Sequence, residues 1–338
     1  MLSPDPNSLS SLSSLSSLST APAVYVSHFG YALGDQAFTV EQTGADGLLV
    51  SEASALRRAG FEQHYRAAPG TGSLELARRA VSPIEAMARR ANALLYATAL
   101  PGNGSAGGEA EFRATRDVRH LMRFPAGLLQ AELGLHDALV MGLSQQGCTS
   151  LHGAIWLARR LLCADLSLDP ILCVTADRIP EGALYEAAHN LVSDAAACCI
   201  VSRQPGGFRL LAERGLTNGA LIAASDEETV GSFFSYMVRI INETLHEAQL
   251  GIGDIHWIIP QNTHHVAWRI LCSLLGYDNE RVLFPTLAKV GHAHSADCII
   301  NLDAVLAQGR LQPGERILVP MAGFGLTWQC LLLEMVAP

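Results

Sequence analysis

The sequence predicts an α/β protein whose sheets are covered by helices on both faces. Short apolar runs of strand length alternate with helix-like stretches from Ala23 to the end of the chain. Hydrophobic residues make up 49% and charged residues 16% of 338 residues, so there is ample material for a large core.

Residues 1–22 stand apart. Ser8 to Thr20 reads SLSSLSSLSSLST, without a basic start or a continuous apolar stretch, and is expected to be a disordered Ser/Leu-rich tail rather than a secretory signal. Two halves are expected to follow, 23–203 and 204–338, because strand–helix–strand units occur in both. Val24–Val26 is an expected first strand. Leu74–Leu94 is expected to be helical, with Pro83 breaking or kinking it. Leu95–Leu100 reads as a buried strand ended by Pro101-Gly102-Asn103-Gly104. Phe112–Leu133 reads as helix interrupted by Pro125, and Ala138–Leu143 as another strand. A helix runs from Leu151 to Leu162, and Ile171–Thr175 is a strand. Ser193–Ser202 is a small-residue turn feeding a strand, Ser232–Ala248 an amphipathic helix, and Trp257–Ile259 a strand closed by Pro260. His264–Leu275 and Ser295–Gln308 read as helices, with Asn262 or Thr263 as the cap of the first. Arg316–Met321 and Trp328–Met335 are the last strands, joined through the turn at 323–325.

The formal charge of −9 is a poor match for nucleic acid or an anionic membrane, both of which need a positive surface. No apolar run reaches eighteen residues, so no transmembrane helix is expected. The eight cysteines (148, 163, 173, 198, 199, 272, 298 and 330) contain no CxxC pair. Most are expected to be small buried hydrophobes in a reducing cytoplasm. Cys148 differs. It follows a strand-like run and precedes a helix, which puts its sulfur near unpaired amide groups that favour a thiolate. Such a thiolate can attack a thioester and hold the acyl group. On spacing alone, a buried structural cysteine at a tight turn is an equal alternative.

Several segments resemble the β-ketoacyl-ACP synthase III family. Gln146-Gly147-Cys148-Thr149-Ser150, with Gly153 and an Ala-rich helix, is similar to its nucleophile segment. Trp257-Ile258-Ile259-Pro260 with Arg269-Ile270 resembles the surroundings of its catalytic His. Gly291-His292-Ala293-His294-Ser295-Ala296 resembles the segment carrying its catalytic Asn. Ser193–Ala197, Gln308–Arg310, Gly314–Arg316 and Gly323–Trp328 also match. The resemblance is good over roughly 130–338 and poor over 24–130. It implies a thiolase fold, two similar halves building an α-β-α-β-α five-layered architecture, and a homodimer. It also implies a cytoplasmic enzyme without cofactor or metal, which takes an acyl group from an acyl carrier protein or coenzyme A thioester.

The match departs at two places. Gln261 stands where the family has His, so the base falls to His264, or to His265 under another register, with Gln261 itself an alternate site residue. His292, or His294, stands where the family has Asn. Family members that transfer acyl groups to hydroxyls or amines resemble this chain in having Gly-His followed by Asp near Asp297. The resemblance therefore implies a set of Cys148, His264 and Asp297 with His292 assisting. Backbone N–H groups of Cys148 and Gly325 would hold the oxyanion. The expected activity is acyl transfer to a small-molecule hydroxyl, amine or carbanion in secondary metabolism. Decarboxylative condensation and a non-catalytic partner subunit are the alternatives. His264, His265, His292 and His294 have no standard zinc spacing, and no metal is expected. Arg89, Arg90, Arg159 and Arg160 are available to an acidic carrier protein.

Overall fold

A computed structural model describes residues 22–324 and 326–337; the Ser/Leu repeat lies outside them. The strands are β1 (Tyr25–Leu33), β2 (Gln36–Thr39), β3 (Gln63–Arg66), β4 (Ala93–Ala97), β5 (Leu139–Leu143), β6 (Ile171–Asp177) and β7 (Glu186–Ala187). They continue with β8 (Asn190–Leu191), β9 (Ala195–Ser202), β10 (Gly207–Thr217), β11 (Trp257–Ile258), β12 (Arg316–Gly323) and β13 (Thr327–Ala337). The helices are α1 (Val40–Ala45), α2 (Ala53–Arg58), α3 (Ser73–Val81), α4 (Glu85–Ala88), α5 (Glu109–Thr115) and α6 (Pro125–Leu133). Then come α7 (Ser150–Ala164), α8 (Asp226–Glu247), α9 (His265–Leu275), α10 (Leu287–Val290) and α11 (Asp297–Ala307).

One pairing scheme occurs twice. In the first half β5, β4 and β6 run parallel, β9 is antiparallel to β6, and β1 is antiparallel to β9. In the second half a bridge at Val282 and β12 flank β11 in parallel, β13 is antiparallel to β12, and β10 to β13. Two residue pairs between β1 and β10 join the halves into one nine-stranded sheet.

Alternation along the strands builds the layers. In β4, Ala93, Leu95 and Ala97 face the central helices α7 and α11, whereas Leu94 and Tyr96 face the outer helices α3 and α6. In β12, Ile317, Val319 and Met321 face the same central helices, whereas Leu318 packs with α8 and α9. Both faces are apolar, as strands between two helix layers require. The result is the five-layered thiolase arrangement.

Several boundaries differ from expectation. α3 stops at Val81, a 3₁₀ turn at Ser82–Ile84 absorbs Pro83, and Ala93 already begins β4. Pro125 does not interrupt a helix: it opens α6, where its missing N–H costs nothing. Strand β10 was not foreseen, because Glu213 breaks its apolar pattern. Glu213 is nevertheless buried, held by Arg159 and Arg160. Arg159 is largely buried on Glu213, whereas Arg160, on the same carboxylate, and Arg89, on Glu85, keep much of their side chains exposed. Six cysteines (173, 198, 199, 272, 298 and 330) are buried, Cys163 is exposed and Cys148 is half-buried.

Candidate active site

Cys148 sits in a 3₁₀ turn, Gly147–Thr149, directly before α7. The turn is pinned from several sides. Thr149 Oγ1 and Thr327 Oγ1 both donate to Gln146 O at 2.8 Å. Gln329 Nε2 donates to Gln146 Oε1 at 3.1 Å. The Ser150 N–H donates to Ser295 Oγ at 3.1 Å, which ties the cysteine turn to the histidine loop. Gly147 has φ +51°, and a Cβ there would lie 2.3 Å from Phe324 O. Gly147→Ala is expected to slow acyl loading of Cys148 by ~100-fold, read by intact mass, because a displacement of about 1 Å at a reacting atom costs roughly that much.

The second part is the loop 291–297 before α11. His292 Nε2 lies 3.2 Å from Cys148 Sγ, and His292 Nδ1 lies 2.5 Å from Asp297 Oδ2. Asp297 is fully buried and accepts two backbone bonds as well, from Asn262 N–H at 2.8 Å and Ala293 N–H at 2.7 Å. It also opens α11, where the amide end of the helix favours a carboxylate. The loop is held by a bridge to the 190–194 segment: His292 N–H donates to Leu191 O at 2.7 Å, and Ser193 N–H to His292 O at 2.9 Å. Asn262 Nδ2 donates to Gly291 O at 2.7 Å. His294 Nδ1 approaches the same sulfur at 3.8 Å, and its Nε2 is buried without a partner.

These contacts set the charges. Burial alone raises the Cys148 thiol, but the His292 and His294 imidazoles outweigh it and bring the thiol down to about 6. Burial works against the charged form of His292, yet the Asp297 carboxylate and the Cys148 thiolate hold its pKa well above the usual imidazole range. The resting pair is therefore thiolate and imidazolium at neutral pH. Because the shift is downward, the thiolate persists above about pH 6 and is lost below it. Alkylation of Cys148 by iodoacetamide is expected to reach half its maximal rate near pH 6. In His292→Ala that midpoint is expected to move upward, since burial is then opposed by one imidazole fewer.

The structure brings together Cys148, His292, His294 and Asp297. His264, the expected base, lines the same cavity but makes no hydrogen bond to Cys148, His292 or Asp297. His264 caps α9 itself, its Nδ1 accepting from Val266 N–H at 3.2 Å, so neither Asn262 nor Thr263 is the cap. His265 Nδ1 bonds to Ala59 O at 2.8 Å. Gln261 Oε1 accepts from Ala322 N–H, and Gly325 lies outside the described residues. Sequence reasoning missed the positioning residues Gln146, Ser295, Thr327 and Asn262. The one legible signal was Thr327 and Gln329, polar residues at alternate positions just before the apolar run Cys330–Leu333.

A cavity of about 720 Å³ opens onto Cys148, His292 and His294. Phe233, Phe234, Leu326 and Trp328 give it an apolar wall; His189, Asn190, Thr263 and His264 give it a polar one. This size suits an organic ligand of moderate bulk.

Residues 245–335 match the family model for the C-terminal part of 3-oxoacyl-[acyl-carrier-protein] synthase III. The chain is 23% identical over 300 residues to β-ketoacyl-[acyl-carrier-protein] synthase III of Rhizorhabdus wittichii, covering 81% of this chain and 87% of that protein. It is 25% identical over 240 residues to the synthase III of Chlamydia caviae, covering 62% and 71%. The structure of 3-oxoacyl-(acyl carrier protein) synthase III from Pseudomonas aeruginosa superposes with a TM-score of 0.77 at 23% identity, covering 93% of this chain and 99% of that one. ChlB3, described as an acyltransferase, superposes with a TM-score of 0.76 at 21% identity, covering 94% and 99%. Among the described residues no helix is long and apolar enough to cross a membrane. With a twice-repeated strand order, a cysteine turn at the head of a central helix and a family match over residues 245–335, this chain is similar to the β-ketoacyl-ACP synthases III in sequence and shares the fold of their structures.

Proposed function

We propose that the protein transfers an acyl group from a carrier-protein or coenzyme A thioester, through Cys148, to a hydroxyl or amine of a small-molecule acceptor. The observation that carries this reading is the hydrogen-bonded chain Cys148–His292–Asp297. The Cys148 thiolate attacks the thioester carbon, and the Cys148 N–H holds the oxyanion. The bond to the leaving sulfur breaks, and that sulfur takes the proton from His292. Acylation removes the thiolate charge that held the proton on His292, so the imidazole becomes a free base oriented by Asp297. It takes the acceptor's proton as the acceptor attacks the acyl carbon. Cys148 then leaves as thiolate, and the resting ion pair returns.

Decarboxylative condensation is the second reading. It is favoured by one observation: two imidazole nitrogens, His292 Nε2 and His294 Nδ1, converge on the sulfur, as two donors to a bound thioester oxygen would. The readings separate on one assay. Acyl-enzyme is supplied with malonyl-ACP or with a panel of alcohols and amines, and both CO₂ and acylated product are measured. Ester or amide without CO₂ is the expected result; CO₂ release coupled to a ketone product would replace this reading with condensation. A non-catalytic subunit has no use for the thiolate–imidazolium pair.

We also propose a homodimer in the cytoplasm. Strand β5 ends the nine-stranded sheet with Leu139 and Met141 exposed, an open apolar edge that a second copy would cover. Its test is sedimentation of the wild type against Met141→Lys.

A further inference from the structure

Cys148, His292 and His294 also satisfy the geometry of metal ligands. Their sulfur and two ring nitrogens all lie within 4.8 Å of one another. In tetrahedral zinc sites, bonds of about 2.3 Å to sulfur and about 2.0 Å to nitrogen leave a sulfur and a nitrogen ligand roughly 3.5 Å apart. Here the two separations from Cys148 Sγ are 3.2 Å and 3.8 Å, one on each side of that value. The spacing of residues along the chain hides this set, because Cys148 comes from the opposite half of the protein.

The surroundings are those of a metal site too. The nitrogen of His292 that faces away from sulfur is held by the buried Asp297 carboxylate, the arrangement that orients histidine ligands and raises their basicity. All three groups line the cavity, which leaves a fourth coordination position for water. The donors are one thiolate and two imidazoles with no carboxylate among them, a set that selects zinc over magnesium, calcium or manganese.

We propose that Cys148, His292 and His294 form a Cys-His₂ site for a single zinc ion, and that its occupancy blocks acyl loading. Zinc takes the thiolate and the lone pairs of His292 Nε2 and His294 Nδ1. The proton shared by the cysteine–histidine pair leaves to solvent, and one water stays on the metal. Binding stands on the ligand geometry alone; the block on loading rests on Cys148 being the acyl carrier. His294 Nε2 has no partner, so the outer shell is complete for only one imidazole. That makes the site exchangeable, suited to reversible inhibition rather than to a permanent structural ion.

The test uses the full chain, freed of metal with a chelator and then titrated with zinc sulfate. Zinc per chain is measured after desalting, and alkylation of Cys148 by iodoacetamide is followed by mass spectrometry. One zinc per chain is expected, with alkylation at least ~10-fold slower and recovered by EDTA, since a coordinated thiolate is no longer a free nucleophile. His294→Asn is expected to bind zinc at least ~100-fold more weakly, because it removes a ligand rather than a supporting contact. His264→Ala and His265→Ala are expected to bind as the wild type does. Undiminished binding in His294→Asn, or unprotected Cys148 at saturating zinc in the wild type, overturns the proposal. Wild-type protection is decisive even if the variant does not fold. Acyl loading without zinc is measured in parallel. Lost loading with intact zinc protection would sink acyl transfer alone; intact loading without protection would sink the zinc site alone.

Discussion

Cys148→Ala is expected to remove the acyl-enzyme entirely and to lower turnover of any acyl donor by at least ~10⁴-fold, the scale seen when a nucleophile is deleted from a catalytic set. The physical reason is that no neighbour can stand in. The other buried cysteines lie in the core, where burial pushes Cys198, Cys199 and Cys298 well above the usual thiol range and Cys330 up to about 12. Cys148 alone has two imidazoles against its sulfur. The substitution removes a partly exposed sulfur without opening a core cavity, so thermal stability is expected to stay near wild type. Intact mass after incubation with acyl-CoA and acyl-ACP donors is the measurement. A wild-type mass increase in Cys148→Ala would place the acyl group elsewhere and remove the basis of the mechanism.

Asp297→Asn is expected to slow acyl transfer by ~10³- to 10⁴-fold through His292, without touching the substrate itself. The carboxylate accepts three hydrogen bonds, from His292 and from the Asn262 and Ala293 amides. An amide in its place has one acceptor oxygen and an NH₂ group that faces donors. If that NH₂ turns to His292, Nδ1 must accept, the proton moves to Nε2, and the nitrogen facing the sulfur can no longer act as base. Loading depends less on the base than transfer does, so acyl-enzyme is expected to accumulate in the variant where it turns over in the wild type. Time-resolved intact mass distinguishes the two steps. Equal slowing of both would assign Asp297 to folding of the loop; unchanged turnover would free it from the mechanism.

The alternation of apolar runs with helix-like stretches was legible because it is local. A strand buried on both faces reads as continuous Leu, Val, Ile and Ala wherever it lies, as in β4, β6 and β9. Cys148 was legible for the same reason: a glycine, a cysteine and a helix start follow one another within a few residues. Strand β10 escaped because Glu213 looks like a surface residue until Arg159 and Arg160 from another element are brought to it. Pro83 ends its helix as expected, but the effect of Pro125 was misplaced, since whether it breaks a helix or opens one depends on the residues packed around it.

By itself the sequence determined the layered α/β class, a cysteine placed at a helix start, and the pool of histidines from which its hydrogen-bond partner is drawn. Only the tertiary structure chose among them. His264 follows Pro260 and fits a catalytic register, yet its ring is used to cap α9. His292 lies 144 positions from Cys148, and its ring nitrogen meets the sulfur because the 190–194 segment and Asn262 hold its loop there. Helix and strand signals come from neighbours along the chain, whereas a hydrogen bond between two loops depends on the path of everything between them.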